Sequence, residues 1–225
     1  MDLYGQSDGS IPQKTIIVIA ELVLVLLSAF ILFPRETGIQ IFSTELGPVS
    51  RRAVLLAFNL IVFSRILLTL LVFLRRRIPL EETISIPLAF ALYFVGFALL
   101  GVGSGSPWAV SDDIGVLLFI TGSVLNTLAE FQRHVWKRNS ANKGKLFTGG
   151  LFSLSMHINY FGDLLWVLGY AFVTNNLYSF LIPLFLFCFF YFYNIPKLDA
   201  YLAERYQDAF EEYRRKTKRF IPFVI

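Results

Sequence analysis

The run from Gly149 to Gly169, GGLFSLSMHINYFGDLLWVLG, sets His157, Asn159, Tyr160 and Asp163 at the mouth of an apolar segment. Asn159, Asp163, Trp166 and Tyr170 recur at helical spacing, so one face carries an amide, a carboxylate and two amphipathic rings. A carboxylate entering hydrocarbon costs about 3 kcal/mol on insertion scales, so it needs a partner or a wet cavity. Upstream, Asn126, Glu130, Arg133 and Lys137 are spaced four, three and four apart and form one polar stripe. A solvated face with a Glu–Arg pair accounts for the outer part of that stripe. Asn126 and Glu130 fall at the end of an apolar run, where free solvation is not expected.

These groups must be positioned by membrane helices. Of the 225 residues, 56% are hydrophobic, and several apolar runs are long enough to cross a bilayer. The fold class expected is all-α: a polytopic membrane helix bundle of about six spans with a C-terminal amphipathic helix. The formal charge of +4 sits in loops and at the C-terminus, which fits orientation in a membrane and not nucleic-acid binding. The single cysteine, Cys188, lies in an apolar run, and His134 and His157 make no metal-binding pair, so no disulfide framework and no metal are expected. The polar start, followed by a long apolar run without a small-residue cleavage site, reads as a retained first span.

The expected spans are Thr15 to Phe33, Ala53 to Leu74, Thr83 to Gly103, Asp112 to Glu130, the short Leu164 to Thr174, and Leu177 to Tyr193 with a kink at Pro183. The short one must begin near Tyr160 to be long enough, which buries Asp163. Ser111 before two aspartates reads as an N-cap. Glu21 interrupts the first span: it either reaches headgroup water or faces an internal cavity. Arg65 is central in the second span and calls for an anionic partner, either Glu21 or a phosphate. The stretch Ile195 to Lys218 is amphipathic, with a basic end at Arg214, Arg215, Lys216, Lys218 and Arg219, and FIPFVI should tuck back into the protein. Basic residues at Arg75 to Arg77, between Arg133 and Lys145, and in the tail place both termini and the motif in the cytosol; Arg51 and Arg52 fall on the wrong side. The loop RNSANKGKLFT suits an anion site or an ordinary cytosolic loop equally. The domain organisation expected is a polar segment at 1–14, N-terminal membrane helices at 15–110 and a C-terminal cofactor-binding domain at 111–225.

GGLF, the run NYFGD, then GYA, EEY and FIPF resemble the membrane steroid 5-alpha-reductase family, within a wider group of sterol C14-reductases and isoprenylcysteine or phospholipid methyltransferases. The resemblance implies a nicotinamide cofactor, NADPH, held by the C-terminal helices and a lipid substrate, in an integral membrane protein of the endoplasmic reticulum. It places Asn126, Glu130, Lys137, Asn159, Asp163 and Tyr213 at positions that meet the nucleotide. Arg133, on the same stripe, and Tyr160, inside NYFGD, complete the cofactor-binding set.

The implied reaction is reduction of a carbon–carbon double bond conjugated to a carbonyl, with an acid stabilising the developing enolate. In the family that acid is a glutamate on an early span, working with a tyrosine on a later one. Glu21 matches the glutamate. The tyrosine's place in NLIVFSR is taken by Val62, and Tyr93 is the substitute, so Glu21 and Tyr93 are the catalytic candidates. Two rivals stand beside this reading. One is an S-adenosylmethionine-dependent methyltransferase, whose relatives carry Arg-His-Pro where this chain has Met156, His157 and Ile158. The other is a catalytically silent scaffold of the same fold. Buried polar groups without a ligand are costly, which weighs against it.

Overall fold

The computed structural model describes residues 10–34, 46–74 and 76–224. The first nine residues, most of the loop before the second span, Arg75 and Ile225 lie outside them. Among the described residues the chain is helical, with no strand: α1 (Ile11–Leu32), α2 (Val49–Leu68), α3 (Leu80–Ala91), α4 (Phe97–Gly101), α5 (Val110–Arg138), α6 (Ile158–Thr174), α7 (Leu181–Phe189), α8 (Ile195–Tyr206) and α9 (Asp208–Lys216). Single π-helical stretches at Thr69–Phe73, Leu92–Gly96 and Phe190–Asn194 extend α2 and join α3 to α4 and α7 to α8. Five helical stretches have the length and apolarity of a membrane span, and α6 adds a shorter apolar helix of 17 residues. The protein is an all-α, polytopic, integral membrane bundle.

Local chemistry sets the helix ends. α1 has a proline in its first turn, where no intrahelical N–H is needed. α3 follows Pro79 and carries Glu81 and Glu82 at its positive end. α5 has aspartates in its first turn and Lys137 and Arg138 in its last. Its cap differs from expectation. The helix starts one residue before Ser111, and Asp112 reaches back to accept from the Ala109 N–H at 2.8 Å.

Contacts divide the chain into two compact units, Met1–Val116 with Gly169–Ile182, and Leu117–Leu168 with Pro183–Ile225. In the first unit α1 packs on α2, α3, α4 and the π-helical stretch Leu92–Gly96. Its buried face is Ile17, Glu21, Val25, Ser28 and Leu32, a stripe at helical spacing. Arg51 is fully buried there, its guanidinium bidentate on Asp112 and also donating to the Ser106 carbonyl at 2.7 Å. Arg52 donates to the Leu32 and Gly47 carbonyls at 2.7 and 2.9 Å. The two arginines that sit awkwardly with loop-charge counting are therefore engaged inside this unit.

In the second unit α5 and α6 meet through glycine. A Cβ at Gly162 would stand 2.7 Å from the Asn126 N, and one at Gly122 would stand 2.5 Å from the Gly162 O. No larger residue fits that approach. The last span runs as one helical stretch from Leu177 to Tyr206. The amphipathic segment is not the single helix its pattern suggests. It breaks at Gln207, whose φ of 44° lies in the left-handed region, and resumes as α9. The tail then returns to the motif: Met156 N–H donates to the Lys218 carbonyl at 2.8 Å and His157 N–H to the Arg219 carbonyl at 3.2 Å. Phe220 is fully buried, whereas Phe223 and Val224 are exposed.

Candidate functional site

The close approach at Gly162 brings the α5 stripe and the motif helix together. Asn126 Nδ2 donates to the Asn159 carbonyl at 3.1 Å, and Asn159 Nδ2 donates to Glu130 Oε1 at 3.0 Å. The other oxygen of Glu130 takes the Arg133 guanidinium in the i,i+3 pair the spacing suggests. Amide, carboxylate and guanidinium thus form one connected strip, with Asn159 buried and its partners half-buried. Arg133 also lies over the Phe152 ring, 5.9 Å from its centroid. Lys137 is exposed at the outer end of the stripe.

The remaining motif residues are placed differently. Asp163 is half-buried and accepts from its own helix, from the Trp166 indole at 2.8 Å. The Tyr160 ring is stacked on His157 at 5.6 Å and on Phe190 at 4.6 Å. Tyr213 donates to the Phe152 carbonyl at 2.5 Å, and burial raises its phenol above the ordinary tyrosine range. So the structure joins Asn126, Glu130, Arg133 and Asn159 directly, while Tyr160, Asp163 and Tyr213 take other partners in the same unit.

Sequence reasoning missed the anchor of this unit. The His157 ring, almost wholly buried, pairs through Nε2 with Asp199 at 2.8 Å, and the other Asp199 oxygen accepts from Arg219 at 2.7 Å. Ser155 Oγ donates to the Phe220 carbonyl at 2.7 Å. A histidine inside the motif was visible, but its partners lie 42 residues or more away in sequence. A separate cleft of about 780 Å³ in this unit is lined by Lys145, Arg205, Tyr206, Glu212, Tyr213 and Lys216, among others. Of the predicted cofactor residues Tyr213 borders it, and the Asn126–Asn159–Glu130 strip does not.

The catalytic candidates Glu21 and Tyr93 belong to the other unit, where the stretch holding Tyr93 packs against α1. Glu21 is fully buried, and neither carboxyl oxygen has a hydrogen-bond partner among the described residues. It therefore neither reaches headgroup water nor bonds Arg65. Tyr93 is buried, edge-on to Phe90 at 5.5 Å. Further along the buried face of α1, Ser28 accepts from Asn59 at 2.8 Å, and Asn59 accepts from the fully buried Tyr170 at 2.7 Å.

A family model described as a protein of unknown function, DUF1295, matches residues 81–217, which include the α5 stripe, the motif and Tyr213. The chain belongs to this steroid 5-alpha-reductase-like family. Its curated relatives divide between two chemistries. It is 38% identical over 92 residues to the probable O-methyltransferase ustE of Ustilaginoidea virens, covering 40% of this chain and 32% of the relative. It is 30% identical over 123 residues to a probable protein-S-isoprenylcysteine O-methyltransferase of Oryza sativa subsp. indica, 52% of this chain and 63% of that one. It is 30% identical over 113 residues to 3-oxo-5-alpha-steroid 4-dehydrogenase 2 of Sus scrofa, 50% and 42% of the two chains. The matched regions span from a third to just under two thirds of these relatives' lengths.

Proposed function

We propose that this steroid 5-alpha-reductase-like protein is a membrane-embedded, NADPH-dependent reductase of a carbon–carbon double bond conjugated to a carbonyl in a lipid. The observation that carries the reading is the preassembled strip in which Asn159 of NYFGD is bonded to both Asn126 and Glu130. Its donor set suits a dinucleotide: an amide and a carboxylate for ribose hydroxyls and the carboxamide, and Arg133 and Lys137 for phosphate. Asn159 and Glu130 hold one another in register, so little ordering remains for binding to impose. Bound NADPH would supply the hydride. Glu21 is the group proposed to hold the proton that stabilises the enolate, because its carboxyl is buried with no hydrogen-bond partner among the described residues, and Tyr93 is proposed to assist it. The endoplasmic reticulum and cytosolic termini belong to this reading through the family resemblance and the distribution of basic residues.

Methyl transfer from S-adenosylmethionine is the second reading, favoured by the methyltransferase relatives. Against it, the positions flanking His157 are filled by core residues. Met156 packs with Phe210 and Tyr213, and Ile158 packs with Ala129 and Phe152, where the methyltransferases carry arginine and proline.

Thermal unfolding of the full chain in detergent, with NADPH, NADH and S-adenosylmethionine added separately, tests both readings. A ligand at a hundred times its Kd stabilises the folded state by about 2.7 kcal/mol. NADPH is expected to stabilise the protein, and Asn159→Ala is expected to abolish that shift. Stabilisation by S-adenosylmethionine alone would overturn the reductase reading. No shift with any of the three would leave a silent scaffold.

A further inference from the structure

The C-terminal run FIPFVI does not tuck away as one apolar unit. Phe220 is fully buried, its ring stacked on Phe187 of α7 at 5.9 Å and edge-on to Phe190 at 6.4 Å. Beyond it the chain turns sharply, and the Val224 N–H donates to the Ile221 carbonyl at 3.1 Å. Ile221 and Pro222 are half-buried, but Phe223 and Val224 are 79% and 63% exposed. Phe223 has a φ of 66°, in the left-handed region that a bulky residue adopts only where its surroundings impose it. Lys218 folds over the turn and donates from Nζ to the Val224 carbonyl at 3.3 Å. The turn therefore carries two apolar side chains outward, with an ammonium beside them.

The last span sets the depth of this turn. Phe187 and Phe190 come before Asn194, where the polar segment begins, which places Phe220 roughly 6–10 Å inside the end of the span at a helical rise of about 1.5 Å per residue. Lys197 lies over the Tyr193 ring at 5.7 Å, a tyrosine–lysine pair of the kind found where a span meets headgroups. The same stretch presents Phe185, Phe189 and Phe192 outward, and in a helix long and apolar enough to cross a membrane those rings meet lipid. The tip of the tail thus stands level with a lipid-facing aromatic band. Interfacial segments bury their apolar side chains to about this depth, roughly 5–10 Å into the headgroup–acyl boundary. Burial there offsets the strain at Phe223, whereas exposure to water would add to it.

We propose that the turn 221–224 is a membrane hook: Phe223 and Val224 insert into the headgroup–acyl boundary, with the Lys218 ammonium at headgroup level. The hook depends on the last span crossing a bilayer and is independent of which cofactor the motif binds. The strand leading into it is the one whose Lys218 and Arg219 carbonyls accept from Met156 and His157, so the anchored tip braces that pairing.

Nitroxide labels on the full chain in phosphatidylcholine nanodiscs report depth. Oxygen collides with labels in lipid, and a nickel chelate collides with labels in water. Phe223→Cys is labelled in a Cys188→Ala background, with Phe185→Cys as the lipid reference and Arg214→Cys, exposed on α9, as the water reference. The Phe223 label is expected to give an oxygen-to-nickel collision ratio several-fold above that of the Arg214 label and close to that of the Phe185 label. A ratio matching the Arg214 label would place the tip in water. Suppression of both collisions would place it against protein, a second copy of the chain included. Either result overturns the hook. Should the Cys188→Ala background fail to fold, Phe223→Trp in the parent replaces it, read as fluorescence added to that of the three native tryptophans. Quenching of that signal by lipid brominated in its acyl chains, and not by aqueous iodide, upholds the hook, and the reverse overturns it. Bracing is read from amide hydrogen exchange in the peptide that holds Met156 and His157. Phe223→Asp is expected to speed that exchange several-fold in nanodiscs. Unchanged exchange would overturn the bracing and leave the insertion to stand or fall on the collision data.

Discussion

The two units handle buried polar groups in opposite ways. In the first, charges are sealed: Arg51 and Asp112 neutralise each other in full burial, and the Glu21 carboxyl is buried with no partner among the described residues. In the second, the strip beside Asn159 is linked but left partly open: Glu130 and Arg133 keep some exposure, and Lys145 and Arg205 stand without a carboxylate partner among the described residues around an open cleft. A sealed pair contributes to fold specificity, and an orphaned carboxyl is a cost that function must justify. Half-covered donors are available to a ligand. The contrast separates a unit that stores one costly group from a unit that presents many inexpensive ones.

The strongest way to break this contrast is at the sealed pair. Arg51→Ala leaves Asp112 buried without its cation and is expected to destabilise the protein by about 3–5 kcal/mol in thermal unfolding. Arg51→Met with Asp112→Leu should recover most of that loss, since neither charge is then stranded. Near-wild-type melting of the single variant would show that the pair is not sealed.

A smaller effect of opposite sign is expected at Glu21. Glu21→Leu removes a buried acid that has no hydrogen bond among the described residues, so stability should rise by about 1–2 kcal/mol. Turnover, once a substrate is in hand, should fall about a hundredfold or more if the carboxyl is the proton source. A stability loss would mean that Glu21 has a structural partner.

The smallest effect is at Tyr213. Tyr213→Phe forfeits one hydrogen bond to the Phe152 carbonyl, about 1 kcal/mol. Because burial raises the phenol's pKa in the folded state, its contribution is fully present below the unfolded value of 10.0 and fades as the pH rises beyond it. The parent should therefore show an alkaline decline in stability that the phenylalanine variant lacks in part.

What the sequence revealed follows from the range of each interaction. Asn126, Glu130 and Asn159 were legible because a stripe on one helix and a motif on the next both show their periodicity locally. Long apolar runs likewise exposed the spans. Arg51 with Asp112, and His157 with Asp199 and Arg219, were not legible, because such pairs are made by folding and leave no local pattern. The break at Gln207 was invisible for a different reason. Glutamine is an ordinary helix former, and only tertiary packing turns the chain there. Glu21 was visible as an anomaly, but whether it met water or protein depended on the neighbours of α1.

The hydrogen bonds from Met156 and His157 to the Lys218 and Arg219 carbonyls carry a consequence for biosynthesis. The ribosome releases the motif some sixty residues before it releases the strand of tail that pins it. Until residues 218–220 emerge, the backbone ahead of α6 lacks those partners, and His157 lacks the Asp199 carboxylate as Arg219 orients it. The helices can enter the bilayer early, but the motif is pinned only once residues 218–220 have been made.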